Sequence, residues 1–140
     1  MHLPAPLLQM IYKNIGADRI ILITDAMRAA GTDAEKSVIG SIRNGQEVVI
    51  KDGVAWMPGM ECFAGSIATM DRLVRNMVRL AGATLPEAIR MASCNPARIT
   101  GMDGKGSLEK GKDADLIIFN EDINVQMTII GGKVIFRRGI

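Results

Sequence analysis

A continuous apolar run that ends in a carboxylate constrains the fold of this chain more than any other feature. In "DRIILITD", Ile20–Ile23 are all aliphatic, and polar residues stand only at the two ends. Such a run is typical of a strand buried on both faces, as in a parallel sheet covered by helices. The preceding segment, "APLLQMIYKNIG", has apolar residues at helical spacing and closes on Gly16, a favoured helix end. A helix followed by a fully buried strand predicts an α/β fold.

The middle of the chain predicts a small β excursion and then a helical region. Asn44-Gly45 and Asp52-Gly53 are turn pairs favoured in hairpins, and they interrupt β-branched runs between about residues 40 and 57. Three helices are predicted next, and their bounds are Ser66–Gly82, Thr84–Cys94 and Asn95–Gly101. Ser66 is the expected N-cap of the first of these helices. Thr84 opens a capping box in the second, and Asn95 is the expected cap of the third.

The tail of the chain predicts β structure again. "ADLIIFN" reads as a strand, and "VQMTIIGGKVIFRRG" reads as a hairpin around Gly131-Gly132. Helices followed by a meander do not continue an alternating β and α series, so we expect a domain boundary near residues 102–106. The predicted domains are therefore residues 1–103 and residues 104–140.

Composition excludes several classes of function. The chain has 140 residues, a 48% hydrophobic content and a net charge of only +2, so neither a nucleic acid nor a membrane surface is an expected partner. The two cysteines lack CxxC spacing, and the first residues lack the basic and apolar regions of a signal peptide. We therefore expect a cytoplasmic protein without a membrane span.

Few side chains are candidates for chemistry. Asp25 ends the apolar run, and the carboxyl end of a buried parallel strand is where α/β folds place their ligands. Asp25 could equally cap the following segment or pair with Arg28. His2 is the only histidine, and one histidine cannot supply a zinc site, which needs three or four protein ligands. A Ser-His-Asp triad from His2, Asp25 and Ser66 is disfavoured because no GxSxG elbow is present.

A loop of small residues, "FAGS" at Phe63–Ser66, precedes a predicted helix. Backbone N–H groups at a helix start can bind an anion or a polar ligand group. Taken alone, an ordinary Ser66 cap with Gly65 easing the turn is the simpler interpretation.

Four segments, read together, carry a resemblance to a known family. They are "ITDAMRAAG", "FAGSIATMDRLVRNMV", "MASCNPARITGMDGKGSLEKGKDADLIIFNEDINV" and "GGKVIF". Their order and spacing resemble the carboxyl-terminal part of the N-acetylglucosamine-6-phosphate deacetylases, within the amidohydrolase superfamily. "GKDADLIIF" is typical of the whole superfamily, whereas "TDAM" combined with "AGS" narrows the resemblance to the deacetylases.

This resemblance implies a fold and a site. The chain would supply the end of strand 7 to helix 8 of a (β/α)8 TIM-type barrel over residues 1–103, and the C-terminal strands of a small β-sandwich over residues 104–140. Asp25 matches the aspartate that acts as general base and then as acid toward the leaving amine. His2 matches a histidine that contacts the sugar phosphate. Phe63, Ala64 and Gly65 match a loop that closes over the substrate near its N-acetyl group.

The resemblance also implies what the chain lacks. Family members use a divalent metal, zinc or similar, but its glutamate and histidine ligands match no residue here. We therefore expect an inactive carboxyl-terminal fragment that binds no catalytic metal, in an enzyme acting on a phosphorylated amino sugar. Uncovered sheet edges lead us to expect a homo-oligomer. The alternatives are a deacetylase for N-acetylgalactosamine 6-phosphate or another N-acyl amino sugar, and a non-catalytic assembly module.

Overall fold

Four α-helices and two three-stranded sheets make up the part of the chain that the structure, a computed structural model, describes: residues 3–60 and 62–139. The predicted site residue His2 lies outside these described residues. The chain divides into two units, the first built mainly from Ile23–Met70 and the second from Pro4–Leu22 and Asp71–Ile140. The described helices include none that is both long and apolar enough to cross a bilayer.

The first unit contains an antiparallel sheet in the order β1-β2-β3. The strands are β1 (Lys36–Ile39), β2 (Gln46–Lys51) and β3 (Val54–Trp56). Asp52-Gly53 forms the second connection, so this predicted turn is confirmed. Asn44-Gly45 lies at the end of the longer first connection, residues 40–45, and neither residue has the positive φ of a tight Asn-Gly hairpin turn. The β region begins at Lys36, earlier than predicted. Val48, Ala55 and Ala64 form its buried core, with Met27, Ile50, Met57 and Ile67 packed against them.

The predicted strand over Ile20–Ile23 is wrong for the described chain. These residues join no sheet; the Leu22 N–H instead donates to the Met91 carbonyl oxygen at 3.1 Å, and Ile23 is 72% exposed. A strand needs a neighbouring ladder to satisfy its backbone groups, and the described residues offer this segment no such neighbour. The apolar run is consistent with a buried strand only where further strands flank it.

The second unit is built on a helical core. Its helices are α1 (Ala5–Ile15), α2 (Met70–Asn76), α3 (Leu85–Ala92) and α4 (Cys94–Thr100); a 3₁₀ turn spans Ala17–Arg19, and a π-helical segment spans Met77–Ala81. Buried side chains from α2 to α3 meet here, among them Val74, Met77, Ala88 and Met91. The predicted helix end at Gly16 and the Thr84 capping box are confirmed.

Two predicted helix caps are wrong, because the Ser66 backbone and the Asn95 side chain form hydrogen bonds with distant parts of the chain. Helix α2 begins at Met70, since Ser66 pairs its backbone with Ala26. Ser93, not Asn95, precedes α4. Asn95 is buried, and its side-chain amide donates to the carbonyl oxygens of Ala17 and Ile20, each at 2.7 Å.

The second sheet follows the helices and has the order β4-β5-β6. Its strands are β4 (Leu116–Phe119), β5 (Val125–Ile130) and β6 (Lys133–Arg137), and all neighbours are antiparallel. The predicted hairpin at Gly131-Gly132 is confirmed, because these residues connect β5 to β6 with Ile130 opposite Lys133. Every residue of β6 is exposed.

Candidate functional site

Asp25 has an unusual backbone conformation at the end of the apolar run. Its φ is 49°, in the left-handed region that only a few per cent of non-glycine residues occupy. The residue is exposed, and its carboxylate makes no hydrogen bond or ion pair to another residue in the part of the chain that the structure describes. The geometry therefore presents an uncommitted carboxylate.

The two structural roles considered for Asp25 are not found among the described residues. Arg28 donates instead to the carbonyl oxygens of Val38 and Gly40, at 3.3 and 3.2 Å. The Ala26 N–H that follows Asp25 donates to the hydroxyl of Thr24 at 3.3 Å. Arg28 thus secures the end of β1, and the local turn uses Thr24 rather than Asp25.

The backbone of Asp25 is hydrogen-bonded to Ser66, at the end of the predicted substrate loop. The Ser66 N–H donates to the Asp25 carbonyl oxygen at 2.9 Å, and the Met27 N–H donates to the Ser66 carbonyl oxygen at 2.8 Å. Ala26 and Ser66 form a parallel bridge through these bonds. The structure therefore brings Asp25 next to the loop that contains Gly65.

Gly65 suits this loop through its backbone conformation. Its φ is +101°, which disfavours any residue with a side chain, whereas a Cβ built there would stand at an ordinary contact distance, 3.6 Å, from the Asp25 carbonyl oxygen. Ala64 is buried at 3% exposure and donates its N–H to the Ala55 carbonyl oxygen at 2.9 Å. The loop is thus fixed to β3 on one side and to the Asp25 segment on the other.

Phe63 lies at the exposed end of this loop beside a residue that the sequence analysis missed. Its ring contacts that of Trp56, with centroids 4.8 Å apart and planes tilted by 59°. The two residues also form an antiparallel backbone bridge. One signal in the sequence pointed to Trp56: the Asp52-Gly53 turn sets the register of β3, which ends at this residue.

The anion site considered for "FAGS" as the less simple interpretation is not formed. The hydroxyl of Ser66 accepts the Ala68 N–H at 2.9 Å, and the helix begins only at Met70. The N–H groups of Ala64 and Ser66 are already bonded to carbonyl oxygens. These N–H groups are therefore not free to bind a ligand.

The donor set for a metal is incomplete in this part of the chain. Among the described residues, no group of three or more His, Cys, Asp or Glu side chains could hold a metal ion. Asp25 offers a single carboxylate, whereas catalytic metal centres use about three protein ligands. The described residues therefore do not fit a resident metal by themselves.

Carboxylates with displaced pKa values lie in the second unit and are structural. Hydrogen bonds from the Thr84 hydroxyl, the Thr84 N–H and the Tyr12 hydroxyl lower the pKa of Glu87. The Lys105 ammonium, together with the Gly131 N–H, lowers the pKa of Asp115. These groups secure helix α3 and the β5–β6 hairpin.

Comparison with known proteins identifies the family. The pattern described as "Amidohydrolase family" matches residues 7–135. The chain belongs to this family. The predicted family is therefore confirmed, and its members include deacetylase hydrolases.

Two amidohydrolases similar to this chain are named as deacetylases of a phosphorylated N-acetyl amino sugar. A putative N-acetylgalactosamine-6-phosphate deacetylase of Escherichia coli strain K12 is 42% identical over 118 residues, which are 84% of this chain and 68% of that protein. The N-acetylglucosamine-6-phosphate deacetylase of Lysinibacillus sphaericus is 39% identical over 134 residues, 96% of this chain and 33% of that protein.

A solved amidohydrolase structure confirms the mixed α/β class. The N-acetylglucosamine-6-phosphate deacetylase of Thermotoga maritima superposes with a TM-score of 0.86 at 33% identity, covering 99% of this chain and 37% of that one. The chain thus spans only about a third of the Lysinibacillus and Thermotoga relatives.

Proposed function

We propose that this chain forms the carboxyl-terminal part of an enzyme that hydrolyses N-acetylglucosamine 6-phosphate to glucosamine 6-phosphate and acetate. The names of the Lysinibacillus and Thermotoga relatives support the reaction and the substrate class. In this proposal the chain supplies the last part of a (β/α)8 barrel over residues 1–103 and strands of a small β-sandwich over residues 104–140.

Asp25 is the proposed proton-transfer residue. It accepts a proton from the water that attacks the acetamide carbonyl, and it returns a proton to the amine nitrogen as the C–N bond breaks. A general base must have an accessible carboxylate, and that of Asp25 is exposed and uncommitted among the described residues. His2 is proposed to contact the sugar phosphate.

One observation carries the proposal: the Ser66 N–H donates to the carbonyl oxygen of Asp25. This bond fixes the loop of Phe63, Ala64 and Gly65 relative to the backbone that bears the carboxylate. A loop held in this way can place an N-acetyl group near the residue that transfers the proton. Positioning of this kind accounts for a large share of enzymatic rate enhancement.

Amidohydrolases generally depend on a metal, and we include a divalent metal, zinc or similar, in the complete enzyme. When bound, such a metal activates water and polarises a carbonyl group. Because the described residues supply no ligand set, the role proposed for this chain is limited to Asp25 and the loop. The isolated 140-residue chain is accordingly proposed to be inactive, and its exposed sheet edges favour a homo-oligomer.

The test is a comparison of two aspartate variants in the complete natural protein that contains this chain. Asp25→Asn should lower kcat by at least about 100-fold, since general base catalysis contributes that much or more. Asp52→Asn is the matched control, because Asp52 is also exposed and has a similar φ of 53°. Asparagine tolerates this backbone conformation as well as aspartate does. Equal activity of both variants would exclude Asp25 from the chemistry.

The galactosamine epimer is a second candidate substrate. The Escherichia coli relative with 42% identity carries the name of a deacetylase for N-acetylgalactosamine 6-phosphate. Measuring kcat/KM for both epimers on the complete protein decides between them. A complete protein that hydrolyses neither sugar would instead favour a non-catalytic assembly module.

A further inference from the structure

We propose that Trp56 is a positioning residue that fixes the Phe63 ring and so determines which N-acyl groups the substrate loop accepts. This inference rests on the proposed function. Trp56 lies outside the four sequence segments on which the family resemblance was based.

A backbone ladder joins β3 to the loop. The Ala64 N–H donates to the Ala55 carbonyl oxygen at 2.9 Å, and the Met57 N–H donates to the Cys62 carbonyl oxygen at 3.2 Å. Trp56 and Phe63 face each other between these two bonds. The backbone on both sides therefore holds the starting points of the two side chains opposite each other, and their rings then meet at 4.8 Å.

This ladder places the side chains of its residues on two opposite faces. Ala55 and Ala64 point into the core, with exposures of 0% and 3%. Their neighbours in the ladder alternate to the opposite face, where Trp56 is 36% exposed and Phe63 is 47% exposed. Two large rings thus stand together at the surface. A tilted ring pair of this kind offers an apolar wall for a small apolar group.

A short chain segment and one hydrogen bond link this wall to Asp25. Phe63 precedes Ser66 by three residues, a span of at most about 10 Å of extended chain. Ser66 is the residue whose N–H is bonded to the Asp25 carbonyl oxygen. An acetamide at the Asp25 carboxylate therefore lies within reach of the loop that Phe63 begins. The methyl group of that acetamide is the apolar part that the ring pair can contact.

The experiment measures acyl-chain selectivity in the complete protein. The kcat/KM values for the N-acetyl and N-propionyl forms of glucosamine 6-phosphate are compared across variants. Trp56→Leu keeps apolar volume but removes the ring, and it should change the ratio of the two values about tenfold, since one methylene in an apolar pocket is worth at least that much. Trp56→Phe keeps a ring and should restore most of the wild-type ratio.

A matched control separates this role from a general effect of removing an exposed ring. Phe136 lies in β6 and is 46% exposed, almost the same as Phe63. Phe136→Leu should leave the selectivity ratio unchanged, whereas Phe63→Leu should reproduce the effect of Trp56→Leu. Circular dichroism of each variant shows whether the fold is retained.

The outcomes distinguish this inference from the proposed function. A wild-type protein without deacetylase activity would refute the proposed function and this inference with it. An active wild-type protein whose Trp56→Leu variant keeps the same selectivity ratio, or loses both activities in equal proportion, would refute the role of Trp56 alone.

Discussion

Arg75 joins α2 to the turn between β4 and β5, and its removal should destabilise the second unit by about 3 kcal/mol. Its Nε donates to the Asp122 carbonyl oxygen at 2.9 Å, and its Nη2 lies 2.9 Å from the Ile123 carbonyl oxygen. The same Nη2 lies 3.0 Å from Asn124 Oδ1 and 3.1 Å from Asp71 Oδ2. One guanidinium therefore binds three consecutive residues of the turn.

The number of hydrogens that Arg75 can donate sets the free energy lost when this side chain is removed. Nε carries one hydrogen and Nη2 carries two, so these contacts amount to three full hydrogen bonds at most. At about 1 kcal/mol net for each bond, the sum is about 3 kcal/mol. The Arg75 side chain is only 20% exposed, so water replaces these bonds poorly. The turn also holds Ile123 at a φ of 62° in the buried core, a strained conformation for a β-branched residue.

The assay is urea unfolding of the 140-residue chain, followed by far-ultraviolet circular dichroism. Arg75→Met keeps the length of the side chain and removes its hydrogen bonds. Arg79→Met is the control, because Arg79 also pairs with Asp122, at 2.9 Å, but this pair is exposed at 54% and 71%. An exposed pair contributes about 0.2–1 kcal/mol, so the control should lie close to wild type. Equal midpoints for the two variants would show that the half-buried hydrogen bonds of Arg75 add no more stability than the exposed Arg79 pair.

Two further changes test the second unit. Gly106→Ala should destabilise the chain by about 2 kcal/mol or more through overpacking, because the new Cβ would lie 2.8 Å from the Ala97 Cβ. Gly111→Ala, at a similar positive φ but in open space, should cost less, and urea midpoints compare the two. Glu87 has a lowered pKa, chiefly through the Thr84 hydroxyl, so its contribution is present above pH 4.5 and is lost as the pH falls through the lower folded value. The stability difference between wild type and Glu87→Gln should therefore shrink in acid, and a constant difference from pH 7 to pH 3 would contradict this.

Features fixed by neighbours in the sequence could be predicted, and features fixed by distant partners could not. The Asp52-Gly53 and Gly131-Gly132 turns form where predicted, since a short turn is determined by the conformations its own residues favour. Ser66 and Asn95 have good capping side chains but do not cap their helices. The Asn95 side chain binds the Ala17 carbonyl oxygen, and the Ser66 backbone binds Asp25. These partners lie more than 35 residues away, and no local pattern reveals them.

The same difference between local and distant partners applies to the candidate site, as Asp25 shows. Asp25 and Asp52 have nearly the same positive φ, 49° and 53°. At Asp52 a two-residue hairpin turn accounts for this conformation completely. At Asp25 no hairpin is present, and the carbonyl oxygen is instead bound by Ser66, 41 residues further along the chain. The sequence shows an aspartate after an apolar run. The hydrogen bond from the Ser66 N–H that accompanies its backbone conformation is visible only in the structure. The positive φ of Asp25 and its uncommitted carboxylate support the proton-transfer role that we propose for this residue.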